Sequence, residues 1–419
     1  MNTFKCGKTT YSRQDDEEAI KTFEQSMAHG ASEFGLSMAK LLYKEEAEKN
    51  VLFSPINIYS ALALVLLGSD GETFEEIAAL MGLQGRRKND EETSKTHEIL
   101  GRVMEAIENT ADRIIRLREG GEKNMKSIIN ITNGVFVQDD VNFVKSYVTQ
   151  ARSFYKSKIS NVDFRQNPSK ATDIINEFIS ESTQKRIPQL FKQPVDSDTR
   201  IILASCVYFK ATWDEQFHKG ATKDENFYTG SDNTLVKMMH FEKEIPYVDL
   251  PDLHLEAVRL KYEGNDVSMI VILPKPEKTL GDLISSLRVE DLQQIVDHRG
   301  FANVDLKLPR MRFKWESDMN NYLVQLGLKK VFSDQCELNN MVSDPSLKIS
   351  NVTHAAEIEV DENGTEASAV TAVRYMLMCY REPEKPKQFH VNRPFLFYIY
   401  HQKTKTILFL GAVHNPQTA

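Results

Sequence analysis

Hydrophobic and polar positions repeat with two different periods along this chain. From Val51 to Gly68, VLFSPINIYSALALVLLG, apolar residues lie nearly all round a helix, which predicts burial. Ser54 stands as its cap and Pro55 at the first helical position. Thr73 and Glu76 then read as a capping box ahead of Ile77, Leu80 and Met81, closed by Gly82. Phe34 to Tyr43 is amphipathic, Asn167-Pro168 opens a helix with Ile175, Phe178 and Ile179 at helical spacing, and another carries Leu323 and Leu326 before Gly327. Ile131 to Gln138 reads as a strand, and Ile201 to Trp213 as a long apolar one inside a sheet. Shorter strands are predicted at Val236 to Met239, Val267 to Leu273, Leu306 to Phe313, Ile349 to Val360, Phe395 to Tyr400 and Ile407 to Leu410. Residues 1 to about 30 are polar and acidic. Ile20, Phe23 and Met27 could extend a helix backwards, but the composition predicts a loosely held tail.

One stretch, Glu362 to Arg393, fits neither period cleanly. Thr365, Ala367, Ala369, Thr371, Val373, Tyr375 and Leu377 alternate onto one face without a charge, as in a half-buried strand. Glu366, Ser368, Val370, Ala372, Arg374 and Met376 form the other face, which holds both charges. Yet Gly364 precedes the pattern, and two prolines among charges follow it between Arg381 and Gln388, which reads as solvated loop. The segment is patterned to be a loop in one state and a central strand in another.

Glu362-Asn363-Gly364-Thr365-Glu366-Ala367-Ser368-Ala369 resembles the hinge of the reactive-centre loop in the serpin family, and Asn392-Arg393-Pro394-Phe395-Leu396-Phe397 resembles the motif after that loop. Asn133-Gly134-Val135-Phe136 is also serpin-like, and the likeness runs from about residue 31 to 416. It implies an α+β fold, about nine helices around three β-sheets, in one domain over 31–419 with an exposed loop at about 362–388. It implies a suicide-substrate inhibitor: a serine protease attacks the loop through its own serine, and the cleaved loop enters the main sheet before the acyl-enzyme hydrolyses. Ser54, Asn57, Trp213 and His354 match positions around the region that parts for insertion. The chain departs from the family at Asn57, usually Ser, at Ser205, usually Asn, and at Lys185 and Ala211, usually Gly.

Counted as serpins count, fourteen residues after Gly364 place Met378 before the scissile bond and Cys379 after it. Met378 suits a chymotrypsin- or elastase-like protease. The loop is longer than in many relatives, so Arg381 is the alternative and would select a trypsin-like enzyme. Cys379 also invites a reactive-thiol role or a cysteine-protease target. A non-inhibitory carrier or chaperone is the other reading, against which the small, uncharged hinge speaks.

The remaining chemistry is sparse. The sequence has no G-x-S-x-G, H-E-x-x-H, Gly-rich phosphate loop or Cys-x-x-Cys, so an enzyme is not indicated, nor a metal or cofactor. Cys6, Cys206, Cys336 and Cys379 are unclustered and read as free thiols of a reducing compartment. A net charge of −8 argues against nucleic acid, and no apolar run suffices to span a membrane. The N-terminus lacks the apolar core of a signal peptide, which predicts a cytoplasmic monomer or export without a cleaved signal. The charge-dense segment from Leu83 to Ile128 lies where some serpins bind sulfated polysaccharide. Five basic against three acidic residues between Thr110 and Ser127 make a weak field, so a glycosaminoglycan is a partner only by resemblance, and a solvated face is the plain reading.

Overall fold

The structure, a computed structural model, describes residues 13–46, 48–85, 91–117, 128–230, 232–344, 346–365 and 385–417. Its helices in chain order are α1 (Arg13–Glu45), α2 (Pro55–Gly68), α3 (Gly71–Leu80), α4 (Glu91–Leu117), α5 (Lys145–Tyr155), α6 (Pro168–Ser182), α7 (Leu280–Ser286), α8 (Val289–Asp297) and α9 (Asn320–Gln325). The strands are β1 (Val51–Phe53), β2 (Ile128–Gln138), β3 (Lys158–Val162), β4 (Ile201–Thr212), β5 (Lys223–Tyr228), β6 (Asn233–Leu250), β7 (Leu255–Lys261) and β8 (Val267–Pro274). After them come β9 (Phe301–Pro309), β10 (Met311–Asp318), β11 (Asn351–Val360), β12 (Gly364–Thr365), β13 (Lys387–His390), β14 (Phe395–His401) and β15 (Thr406–Val413).

Three sheets result. One has the order β10-β11-β4-β2-β3, with the two-residue β12 added to β4. The other two share β6, because residues 247–250 of that strand pair with β7 and residues 238–246 with β9. One apolar core gathers residues from Met27 to Val413, and a smaller cluster lies under α6, around Ile175, Ile179, Cys206 and Ala355. β4 sits between them. Ile201, Leu203, Val207 and Phe209 face the main core, while Ile202, Ala204 and Cys206 face the α6 cluster. That two-sided burial is why its sequence reads as an unbroken apolar run.

Burial explains α2 as well. Every residue from Pro55 to Leu66 is buried, and the Ser54 side chain accepts the Asn57 N–H at its start. Three sequence expectations are corrected. Residues 13–30 belong to α1 rather than to a loose tail, and from Met27 onward Met27, Ala31, Phe34 and Met38 keep one helical stripe on the core across residue 30. α3 starts before the proposed capping box, at Asp70, whose carboxylate accepts the Gly71 N–H. Thr73 and Glu76 are inside that helix and take tertiary partners instead: Thr73 accepts the Glu337 N–H, and the Glu76 carboxylate accepts those of Lys329 and Lys330. The single strand expected from Leu306 to Phe313 is two, β9 and β10. They part at Pro309, which offers no N–H, and the Arg310 N–H turns to the Lys237 carbonyl of β6.

Candidate functional site

β11 runs parallel to β4 from Asn351 opposite Ile202 to Glu357 opposite Tyr208, and there the pairing stops. Both strands continue, β11 to Val360 and β4 to Thr212, so a gap opens between them at one end of the sheet. The chain turns back at residues 361–364. The Asp361 carboxylate accepts the Asn363 and Gly364 N–H groups, and the Asp361 N–H donates to the Gly364 carbonyl. β12 then pairs antiparallel with β4 inside the gap, Gly364 opposite Thr212 and Thr365 opposite Ala211. Gly364 is needed there. Its φ is +150°, and a Cβ would lie 2.1 Å from the Ala211 carbonyl oxygen.

The turn is gripped from several sides. The Trp213 N–H donates to the Asn363 carbonyl and its indole Nε1 to the Asp361 carbonyl, at 2.9 and 3.0 Å. The indole stacks on Tyr262, with ring centroids 4.3 Å apart. The Phe217 N–H donates to the Glu362 carbonyl at 2.9 Å. The Glu362 side chain is fully buried, and Arg310 Nε donates to both its oxygens at 2.9 and 2.8 Å, with Nη2 adding 2.7 Å and the Thr222 hydroxyl a further bond. Burial would raise this carboxyl, but the Arg310 and Thr222 hydrogen bonds outweigh it and hold it below the usual carboxylate range.

A second cluster lies deeper in the sheet, under α2. His354 of β11 is directly opposite Ser205 of β4. Its Nε2 accepts the Ser54 backbone N–H at 3.0 Å, so the neutral ring carries its proton on Nδ1, which donates to Ser205 Oγ at 3.1 Å. Asn57 Nδ2 donates to the Cys206 carbonyl, Asn133 Nδ2 to Ser60 Oγ, and Ser60 Oγ to the Asn57 carbonyl. Polar side chains thus bridge α2, β2, β4 and β11 across the seam that a new strand would occupy. The structure therefore groups Ser54, Asn57 and His354 in this cluster, and Trp213 with Glu362, Gly364 and Thr365 in the other. The hinge residues Glu366, Ala367, Ser368 and Ala369, and Met378, Cys379 and Arg381, lie outside the described residues. Sequence reading had no role for Arg310, Thr222, Tyr262 or Ser60, because Glu362, Trp213 and Asn133 reach them only through tertiary contact.

Desolvation pushes His354 down to about 3. An unfolded imidazole protonates near 6.5, so between those values the unfolded chain binds a proton the folded one refuses. The stability tied to this group is intact above pH 6.5 and lost as pH falls, by ~2 kcal/mol at pH 5. His97 and His401, pushed down to about 4 by burial, act in the same direction. Urea midpoints measured from pH 7.5 to 5 should therefore fall, and His354→Gln should remove one proton's share of that slope. An unchanged slope in the variant would contradict a neutral His354.

Neither cysteine in the described residues is poised for chemistry. Cys206 and Cys336 are buried free thiols, both pushed up to about 12 by burial.

A family model described as serpin (serine protease inhibitor) matches residues 29–416. Human Serpin B4 is 30% identical over 381 residues, covering 89% of this chain and 95% of that protein. The leukocyte elastase inhibitor of Sus scrofa is 30% identical over 404 residues, covering 94% and 100%. An uncharacterized serpin-like protein of Thermococcus kodakarensis is 32% identical over 381 residues, covering 90% and 83%. Among solved structures, human thyroxine-binding globulin superposes with a TM-score of 0.80 at 23% identity, covering 94% of this chain and 99% of that one. Uncleaved ovalbumin gives 0.79 at 23%, covering 93% and 100%. Those identities carry the fold. No helix among the described residues is long and apolar enough to cross a membrane.

Proposed function

The chain belongs to the serpin family, a family of serine protease inhibitors and not of enzymes, and from that premise we propose that it traps its target as an acyl-enzyme by loop insertion. The observation that carries this reading is the pairing of Gly364 and Thr365 with β4 in the gap that β11 leaves. Carried on in the same register, Ala367, Ala369, Thr371 and Val373 meet Phe209, Val207, Ser205 and Leu203. Phe209, Val207 and Leu203 belong to the main core. Glu366, Ser368, Val370 and Ala372 then meet Lys210, Tyr208, Cys206 and Ala204 on the other face. The uncharged face of the alternating segment is the one that would be buried deepest. Small and β-branched residues fit there without a desolvated charge.

Insertion must pull β11 from β4, breaking the Ser205–His354 bond, and it replaces one ladder by two. A gain on the order of ten hydrogen bonds, at roughly 1 kcal/mol net each, is enough to drive it. The uninserted form therefore persists kinetically rather than as the most stable state. The protease, still tethered by its ester, is carried along the sheet by about 3.3 Å per inserted residue and distorted before water releases it.

We assign the scissile bond to Met378-Cys379 and the target to chymotrypsin- or elastase-like serine proteases, with Arg381 and a trypsin-like target as the alternative. Incubation with one protease of each type should give a denaturant-resistant adduct, and the small peptide it releases locates the cut. A released peptide that begins at Cys379 marks the first bond, and one that begins at Glu382 the bond after Arg381. Cleavage without any adduct, and without a rise in melting temperature, would favour the carrier or chaperone reading instead.

A further inference from the structure

β6 leaves β7 for β9 within one peptide unit: Tyr247 still pairs with Val258, whereas Pro246 pairs with Phe301. Beyond that fork, Arg259 and Leu260 pair with β8, and on the other edge the chain is next met by Asp214, whose N–H donates to the Lys261 carbonyl, and by the Trp213–Tyr262 bridge. A cleft of about 170 Å³ fills the fork. Its walls are strongly aromatic, with Trp213, Phe217, Phe241 and Phe301 among the lining residues. Phe217 and Phe241 have ring centroids 4.5 Å apart, and Phe301 is 55% exposed. The volume is close to that of an apolar cavity that accepts a single benzene ring.

Arg259 also lines the cleft and is only 9% exposed. Its Nη1 donates to the Val296 carbonyl at 3.0 Å, but its Nε is buried without a partner among the described residues. Burial, and the neighbouring Arg299, hold it below the usual arginine range despite an opposing influence from Asp297. Such a guanidinium favours an anion. Lys261 stands on the same wall. Asp214, Glu215 and Glu244 also line it: the Asp214 N–H donates to the Lys261 carbonyl at 2.9 Å, and Glu215 is already paired with Lys243, so Arg259 is the buried cation of the lining.

We propose that this cleft binds a small aryl anion, one aromatic ring bearing a carboxylate or sulfonate, and that its occupancy is coupled to the hinge. The ring lies among the aromatic walls and the anionic group is drawn towards Arg259. The coupling follows from shared residues and rests on the inhibitory reading above. Trp213 and Phe217 line the cleft, and their backbone N–H groups hold the Asn363 and Glu362 carbonyls. An occupant braces the hinge as it stands, slows insertion and lets more protease escape by deacylation.

Benzoate, neutral benzamide and cationic benzamidine separate the chemistry, because they are nearly equal in size. On the intact protein, ligand-observed NMR and tryptophan fluorescence should show saturable benzoate binding at one site, at least tenfold tighter than benzamide and tighter still than benzamidine. Phe301→Ala, at an exposed position, should weaken benzoate at least fivefold, and Arg259→Gln should bring benzoate and benzamide level. Absence of saturable binding, a preference for benzamidine, or indifference to both variants would overturn the site. Saturating benzoate should raise the ratio of cleaved to trapped inhibitor at least threefold; an unmoved ratio with benzoate bound overturns the coupling. If no trapped complex forms even without benzoate, the inhibitory reading has failed, and the binding data still decide the site.

Discussion

Thr365→Arg should be cut by the target protease at the normal rate and then released, with covalent trapping reduced about a hundredfold. Thr365 pairs with Ala211, which is buried in the main core. Thr365 already stands on β4 at the mouth of the gap, and completing insertion would close the sheet around a guanidinium there with no acceptor in place, at a cost of several kcal/mol. Trapping is a race between insertion and deacylation. Slowing insertion by only ~3 kcal/mol moves the race by about two powers of ten, because each 1.4 kcal/mol is a factor of ten. The measurement is the ratio of adduct to cleaved inhibitor on a denaturing gel, with initial cleavage rates alongside. Equal trapping by the variant and the parent would refute insertion in this register. Cleaved parent protein should also melt well above the intact protein, and cleaved Thr365→Arg should gain little.

Glu362→Lys is the second change with a large expected effect, and it acts before any protease arrives. The carboxylate is buried and its partner Arg310 is partly exposed, at 43% of its side chain. Reversing the charge sets an ammonium against the guanidinium and removes the acceptor for Thr222. Breaking such a pair from its buried side costs about 3–5 kcal/mol. The turn at residues 361–364 should then loosen from Trp213 and Phe217, and the unpaired end of the sheet becomes available to other strands. A urea midpoint within 1 kcal/mol of the parent would refute the role given to this pair. Glu362→Lys combined with Arg310→Glu should recover part of the loss if the two residues act as a pair. Because the folded carboxyl is held low, the pair's contribution is intact above about pH 4.5, the ordinary glutamate value, and is lost as pH falls through the lower folded value.

The fold-level lessons are local. The buried character of α2, its Ser54 cap and the core position of β4 were legible because burial on all sides leaves few polar positions, and those, such as Asn57, Ser60 and Ser205, are small. Polar composition misled at residues 13–30, which belong to α1; from Met27 on, one apolar stripe is enough to keep that helix docked. The capping box at Thr73 and Glu76 misled for the opposite reason. Both side chains can satisfy a helix end, but Glu337, Lys329 and Lys330 reach them first. Lys185, where the family usually has Gly, adopts φ +64°, a strained backbone that a sequence pattern does not disclose.

By itself the sequence determined which residues share a face. The alternation from Thr365 to Leu377 separates an uncharged side from a charged one, whatever strand lies beside it. Only the tertiary structure decided what that face meets. The β11–β4 gap sets the register against Ala211, Arg310 reaches Glu362 across 52 positions, and Ser205 closes on His354 across 149. Periodicity is a property of one strand's backbone geometry, so it survives in the sequence. Register, ion pairing and the fork between β7 and β9 are relations between distant segments, fixed when the core closes.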